Sequence, residues 1–226
     1  MFERDCSQSP FPTFSFIPSL CKPSVKHAWF YKVLHVSVHV FSLIPLLWLY
    51  WAVNQNRLGG EPLQAIEHYL GMGALRLLLL TLCITPLAKQ LKAGRLLRLR
   101  RPLGLWCFTW ASCHFAIWLV FDWQLYWSQI AEEIIKRQYI LVGFSAWLIL
   151  LALAITSIPY FLRAMGSTWK KLHHWIYLAA ILAPLHFLWS VKSGLIEPLV
   201  YFAIALTLLF LRREKFIRPF RRKAGT

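Results

Sequence analysis

Six apolar runs divide this chain of 226 residues, at 33–53, 71–88, 103–121, 139–158, 172–191 and 197–211. A bilayer core of about 30 Å takes roughly 20 helical residues to cross, so each run is read as a spanning helix. The second and sixth are short and must borrow flanking residues or thin the bilayer locally. The fold class that follows is an all-α membrane protein, a bundle of about six transmembrane helices.

Composition agrees. The chain is 58% hydrophobic and 15% charged, whereas soluble domains average roughly 45–50% and 25%. Twelve Trp and sixteen Phe suit a protein with two membrane interfaces. The net charge of +16 in a soluble protein would point to nucleic acid. Here the basic residues fall in short stretches between apolar runs, so they report orientation and no nucleic-acid partner is implied. Twenty of the 25 Lys and Arg lie in the first tail, the second and fourth connections and the last tail. The opposite side holds Arg57, Lys136, Arg137 and Lys192, together with six of the nine acids. The positive-inside rule then puts both termini in the cytoplasm.

Residues 1–30 contain four prolines among Ser and Phe, with no basic n-region and no long apolar stretch. They read as a disordered tail and a poor signal peptide. Residues 31–212 form the transmembrane domain, and residues 213–226 a basic cytoplasmic tail. The five cysteines form no C-x-x-C pair. They read as buried structural residues rather than as ligands of zinc or an iron–sulfur cluster.

An ionisable residue inside a membrane helix is costly and therefore a functional candidate. His114 lies eleven residues into the third run, counted from Leu103, about 16 Å up the helix. His186 lies fifteen residues beyond Lys171 in the fifth, about 22 Å up. Both helices run the same way, so the two imidazoles approach a common level in the outer half. One heme iron takes two axial ligands, and neutral imidazole suits it. Ala111, Ala179, Ala180 and Ala183 are small enough to admit a flat porphyrin, and they also serve ordinary helix packing.

His173 stands thirteen residues before His186, about 19 Å along the axis but some 140° around it. Pro184 lies between them, where a kink would alter the phase. His35 and His39, four apart on the first helix, share a face. Either would partner His173 on a second heme, or both would make interfacial hydrogen bonds. His68 reads as solvated, just before the second helix. Arg76 needs an anion, either a heme propionate or lipid phosphate reached by snorkelling. The basic cluster from Lys89 to Arg101 reads as a topology signal that also suits anionic lipid head groups.

Several stretches resemble one family. Arg100-Arg101-Pro102-Leu103-Gly104-Leu105-Trp106-Cys107-Phe108, followed by Trp110-Ala111-Ser112-Cys113-His114, is similar to the third helix of the MsrQ (YedZ) family, within the ferric-reductase-like transmembrane group. So are Leu172-His173-His174-Trp175-Ile176-Tyr177-Leu178 and the segment from Ala183-Pro184-Leu185-His186 to Lys192. Pro45-Leu46-Leu47-Trp48 and Thr85-Pro86-Leu87-Ala88 extend the match to roughly residues 30–215.

The resemblance implies a bacterial inner-membrane protein carrying one or two hemes b on His114, His173 and His186, with FMN also associated with the family. It implies electrons taken from the quinone pool and delivered to a periplasmic molybdenum-cofactor methionine sulfoxide reductase subunit, which performs the catalysis. Ferric-reductase-like proteins typically carry a second histidine one heme-height from the position of His114. That place is Arg101 here, so a second heme requires another partner for His173. Two other readings remain at this point. One is a ferric or metal reductase core fed by a separate flavin reductase. The other is a cofactor-free transporter or assembly factor using its histidines as a proton relay.

Overall fold

The computed structural model describes residues 25–212, and all their regular structure is helical. The expected tails fall largely outside these residues, although helix α1 already begins at Val25. Helix α1 (Val25–Asn54) is followed by α2 (Pro62–Gln90). A 3-10 turn, Gly94–Leu99, leads directly into α3 (Arg100–Ile117), which runs on into a π-helical turn, Trp118–Asp122. Then come α4 (Trp127–Lys136), α5 (Gln138–Ile155), α6 (Pro159–Met165), α7 (Ser167–His173), α8 (Ile176–Ser190) and α9 (Ile196–Phe210).

Among the described residues, five segments are long and apolar enough to cross a bilayer: Trp29–Asn54, Pro62–Gln90, Gly94–Asp122, Gln138–Ile155 and Ser167–Ser190. Helix α9, the sixth apolar run, has fifteen residues, about 22 Å of helix. The second run proves longer than its apolar stretch. It starts at Pro62, where a proline at the first helical position costs no hydrogen bond, and so takes Glu67 and His68 into the helix. The fifth run breaks in two at His174–Trp175, nearer His173 than the expected site at Pro184, which is accommodated inside α8. Gly166, at φ +50°, separates α6 from α7, a backbone conformation that glycine adopts without steric cost.

Helix α2 is the hub. Each of the four buried clusters contains it. Leu75, Leu79 and Leu82 meet Ala180 of α8 and Ala205 and Leu208 of α9. Ile84 and Ala88 meet the turn and start of α3 through Leu96, Leu99 and Leu103. Leu70 and Ala74 meet Leu49 of α1 and Trp110 of α3. Leu78 meets Cys107, Leu150 and Ala179. Lipid is as apolar as leucine, so association rests on close packing rather than on the hydrophobic effect. Small residues supply it: Ala179 and Ala180 have no exposed surface. At Gly73, a Cβ would lie 2.0 Å from the Trp110 ring. The Trp110 indole also donates to the Ser42 carbonyl at 3.1 Å, joining α1 to the same contact.

The two ends of the bundle differ in charge. The end where α2, α5 and α9 begin holds Glu61, Glu67, Asp122, Glu132, Glu133 and Glu197, and is called the acidic end. The end with Lys89, Lys92, Arg95, Arg98, Arg100, Lys170, Lys171 and Arg212 is called the basic end.

Candidate metal centre between two histidine helices

His114 projects from the last turn of α3 and His186 from the last turn but one of α8. Their ring centroids are 6.4 Å apart, with the planes inclined at 72°. Each ring is held by a carbonyl of a neighbouring helix. The His114 Nδ1 lies 2.9 Å from the Glu67 carbonyl of α2, and the His186 Nδ1 lies 2.7 Å from the Tyr139 carbonyl of α5. A carbonyl only accepts, so both Nδ1 atoms donate. That fixes the tautomer and leaves both Nε2 lone pairs free to bind a metal.

A glycine makes each contact possible. Gly71 and Gly143 stand one turn beyond the two accepting carbonyls. A Cβ on Gly143 would lie 2.6 Å from the His186 Nδ1, and one on Gly71 would lie 3.3 Å from the His114 Cε1. Without a side chain there, each imidazole reaches the backbone of the facing helix. The α2–α3 and α5–α8 pairs thus use the same device. Neither the glycines nor the carbonyls were singled out from the sequence, because helical glycine carries no local signature of a partner on another helix.

Both histidines line a cavity of about 1060 Å³ that opens at the acidic end. Leu78, Cys107, Ala111, Leu150 and Ala183 form apolar wall, and along one side Phe144 stacks on Trp147 with the Phe115 ring tilted against both. Lys192 is the cation on this lining among the described residues. Glu67 and Asp122 both line the cavity, and the Glu67 Oε1 is buried without a hydrogen-bond partner. His68, expected to be solvated, is exposed, and it also lines the cavity with its ring 5.8 Å from that of Phe187.

The other candidates lie elsewhere. His173 stacks on Trp169 at 3.9 Å and its Nδ1 lies 3.2 Å from the Trp169 carbonyl, within its own helix and at the basic end. His39 accepts a 2.9 Å hydrogen bond from the Trp106 indole and packs 5.0 Å from His35. These contacts tie both rings to α1 and α3 rather than to His173. Arg76 is not part of the cavity lining; its Nε donates to the Tyr201 hydroxyl at 2.9 Å.

The donor set discriminates among cofactors. Among the described residues, no three His, Cys, Asp or Glu side chains are grouped to hold a metal ion. Two facing imidazoles suit a metal that brings its own equatorial ligands. A metal–imidazole bond is about 2 Å, so rings 6.4 Å apart would leave room for one metal ion held by both.

Comparison with known proteins gives this arrangement a class. Residues 70–184 match the family described as the ferric reductase like transmembrane component. The protein-methionine-sulfoxide reductase heme-binding subunit MsrQ of Salmonella arizonae is 45% identical over 190 residues, covering 84% of this chain and 95% of that protein. Its counterpart in Salmonella paratyphi B is 44% identical over 184 residues, 81% of this chain and 92% of that protein. The chain belongs to the MsrQ family.

Proposed function

We propose that this chain is the heme b membrane subunit of a protein-methionine-sulfoxide reductase system in the bacterial inner membrane. Both termini are cytoplasmic and α9 is the sixth span. Electrons enter from the quinone pool and leave at the acidic, periplasmic end. There a molybdenum-cofactor subunit uses them to reduce methionine sulfoxide in oxidised envelope proteins. Catalytic reduction belongs to that partner, and this chain is the conduit.

The observation that carries the reading is the His114–His186 pair. The two Nε2 atoms are left unprotonated by the carbonyl contacts of Nδ1, and with the ring centroids 6.4 Å apart both residues would serve to hold one iron. When bound, heme supplies a one-electron iron couple. His114 and His186 would hold it, the Glu67 and Tyr139 carbonyls orient the two rings, and the apolar wall from Leu78 to Leu150 would keep water from it. Lys192 at the mouth offers a counter-charge to a propionate. His173, at the basic end, is the third heme histidine of this reading and would hold a second heme.

The test is a reduced-minus-oxidised spectrum, with heme quantified per chain, on purified wild type, His114→Ala and His186→Ala. The wild type is expected to show a low-spin b-type spectrum that both variants lose. A colourless wild type, after expression with ample heme, refutes the conduit and favours a cofactor-free transporter.

A further inference from the structure

The basic end holds a second concentration of buried polar groups, which the electron-transfer reading does not use. Arg100 opens α3 and Arg212 stands two residues past α9. Their Nη2 atoms both donate to the Oγ1 of Thr85 on α2, and Arg212 also donates to the Leu82 carbonyl. Arg212 has only 7% of its surface exposed, and its guanidinium lies 5.8 Å from the centre of the Tyr177 ring. The Nε atoms of Arg100 and Arg212 are both buried and have no hydrogen-bond partner.

Two guanidiniums thus converge on one neutral hydroxyl. Buried cations are ordinarily paired, and removing the partner of a buried charge is strongly destabilising. Among the described residues, the ion pairs join Lys136 to Glu132 and Arg137 to Glu133, both at the other end of the bundle. Beside the Arg212 guanidinium is a cavity of about 190 Å³, lined by Thr85, Pro86, Lys89, Gln90, Leu211 and Arg212. It is open to the exterior and close to two of the converging groups.

We propose that Arg100, Arg212 and Thr85, with the adjoining cavity, form a binding site for a phosphate group. Two planar forks and a hydroxyl offer donors in several directions, which matches a tetrahedral anion with oxygens to share among them. The shortness of α9 adds a reason. Its end reaches less far than a full span, so a phosphate in the site is drawn toward the bundle below the level of the surrounding head groups. The ligand is either the head group of an anionic phospholipid or a soluble phosphate ester. Both present the same chemistry to the site.

The experiment measures the unfolding midpoint of the delipidated full chain in detergent. Sodium phosphate is compared with sodium chloride at matched ionic strength, and phosphatidylglycerol with phosphatidylcholine in mixed micelles. Phosphate or phosphatidylglycerol should raise the wild-type midpoint by a few degrees. Arg212→Gln and Arg100→Gln should abolish the increment, and Arg137→Gln at the other end should retain it. Arg212→Lys keeps the charge without the fork, and should keep a reduced increment even where Arg212→Gln folds poorly. A response to phosphatidylglycerol alone identifies a lipid head group; a response to inorganic phosphate identifies a soluble ester. No increment with either ligand, or equal increments in wild type and both glutamine variants, overturns the proposal. So does loss of heme from Arg212→Gln with an unchanged phosphate response, since the arginines would then serve a propionate.

Discussion

At the acidic end, two imidazoles face each other at 6.4 Å, and each is held by the backbone of a different helix. At the basic end, His173 is held by a carbonyl four residues back in its own helix, and so is its neighbour His174, by Lys170. The difference is one of constraint. A bond to the same helix moves with that helix and fixes nothing between elements. A bond across helices ties the position of a ring to the packing of the bundle, which is what preorganised metal ligands require. The contrast also explains why the His114–His186 pair carries the functional reading while His173 is an extension of it.

The harshest way to break the comparison is to remove one member of the pair. His114→Ala or His186→Ala should each abolish the bridged spectrum, because iron held on one side only is no longer a low-spin, two-imidazole centre. His173→Ala should leave that spectrum in place. If all three variants lose it equally, the ends do not differ in the way described.

The glycines sharpen the comparison. Gly143→Ala puts a Cβ 2.6 Å from the His186 Nδ1, so ring or helix must shift; Gly71→Ala meets the His114 ring at 3.3 Å, which a small displacement relieves. Disturbing the groups that orient a metal-bound histidine typically costs about 10–100-fold in affinity. Gly143→Ala should therefore approach the upper part of that range in heme dissociation, with Gly71→Ala well below it. Equal losses would mean that helix packing, rather than the imidazole contact, sets the effect.

The sequence made some of this legible and concealed the rest. The apolar runs located α5 and α9 closely and α3 to within a turn, while α1 begins eight residues before its run, and depth along two parallel helices was enough to bring His114 and His186 to one level. Both inferences need only local helix geometry. The start of α2 at Pro62 was hidden because Glu67 and His68 interrupt the apolar run. They are tolerated in the helix because they face the cavity. Helix α4 was hidden for a related reason. Its exposed Trp127 and Ile135 and its Glu132–Lys136 pair suit an interface, and it buries only Ile130. The roles of Gly71, Gly143 and Thr85 depend entirely on which helices become neighbours.

The proposed role of His173 as a heme ligand would make a further distinction at the basic end. His173 and His174 are adjacent and bonded alike to their own helix, yet only His173 stacks on Trp169. If His173 is a ligand, His173→Ala should lower heme per chain by about half, the loss of one of two sites, and His174→Ala should not. If the two variants behave alike, neither is a ligand.

The smallest effect is expected at Trp169. Its indole donates to the Thr156 carbonyl at 2.9 Å, linking α7 to the end of α5, while its face packs on His173. Trp169→Phe keeps a ring against the imidazole and deletes the link. The bond is an ordinary one between segments of a membrane bundle, so its loss should lower stability by about 1 kcal/mol or less, read as a small shift in the thermal midpoint with heme content unchanged. Trp169→Ala removes the stacking face as well. If that face orients His173, the alanine variant should shift the potential of the heme at the basic end and leave the His114–His186 spectrum alone. If both variants move only the thermal midpoint, Trp169 fastens α7 to α5 and has no part in positioning His173.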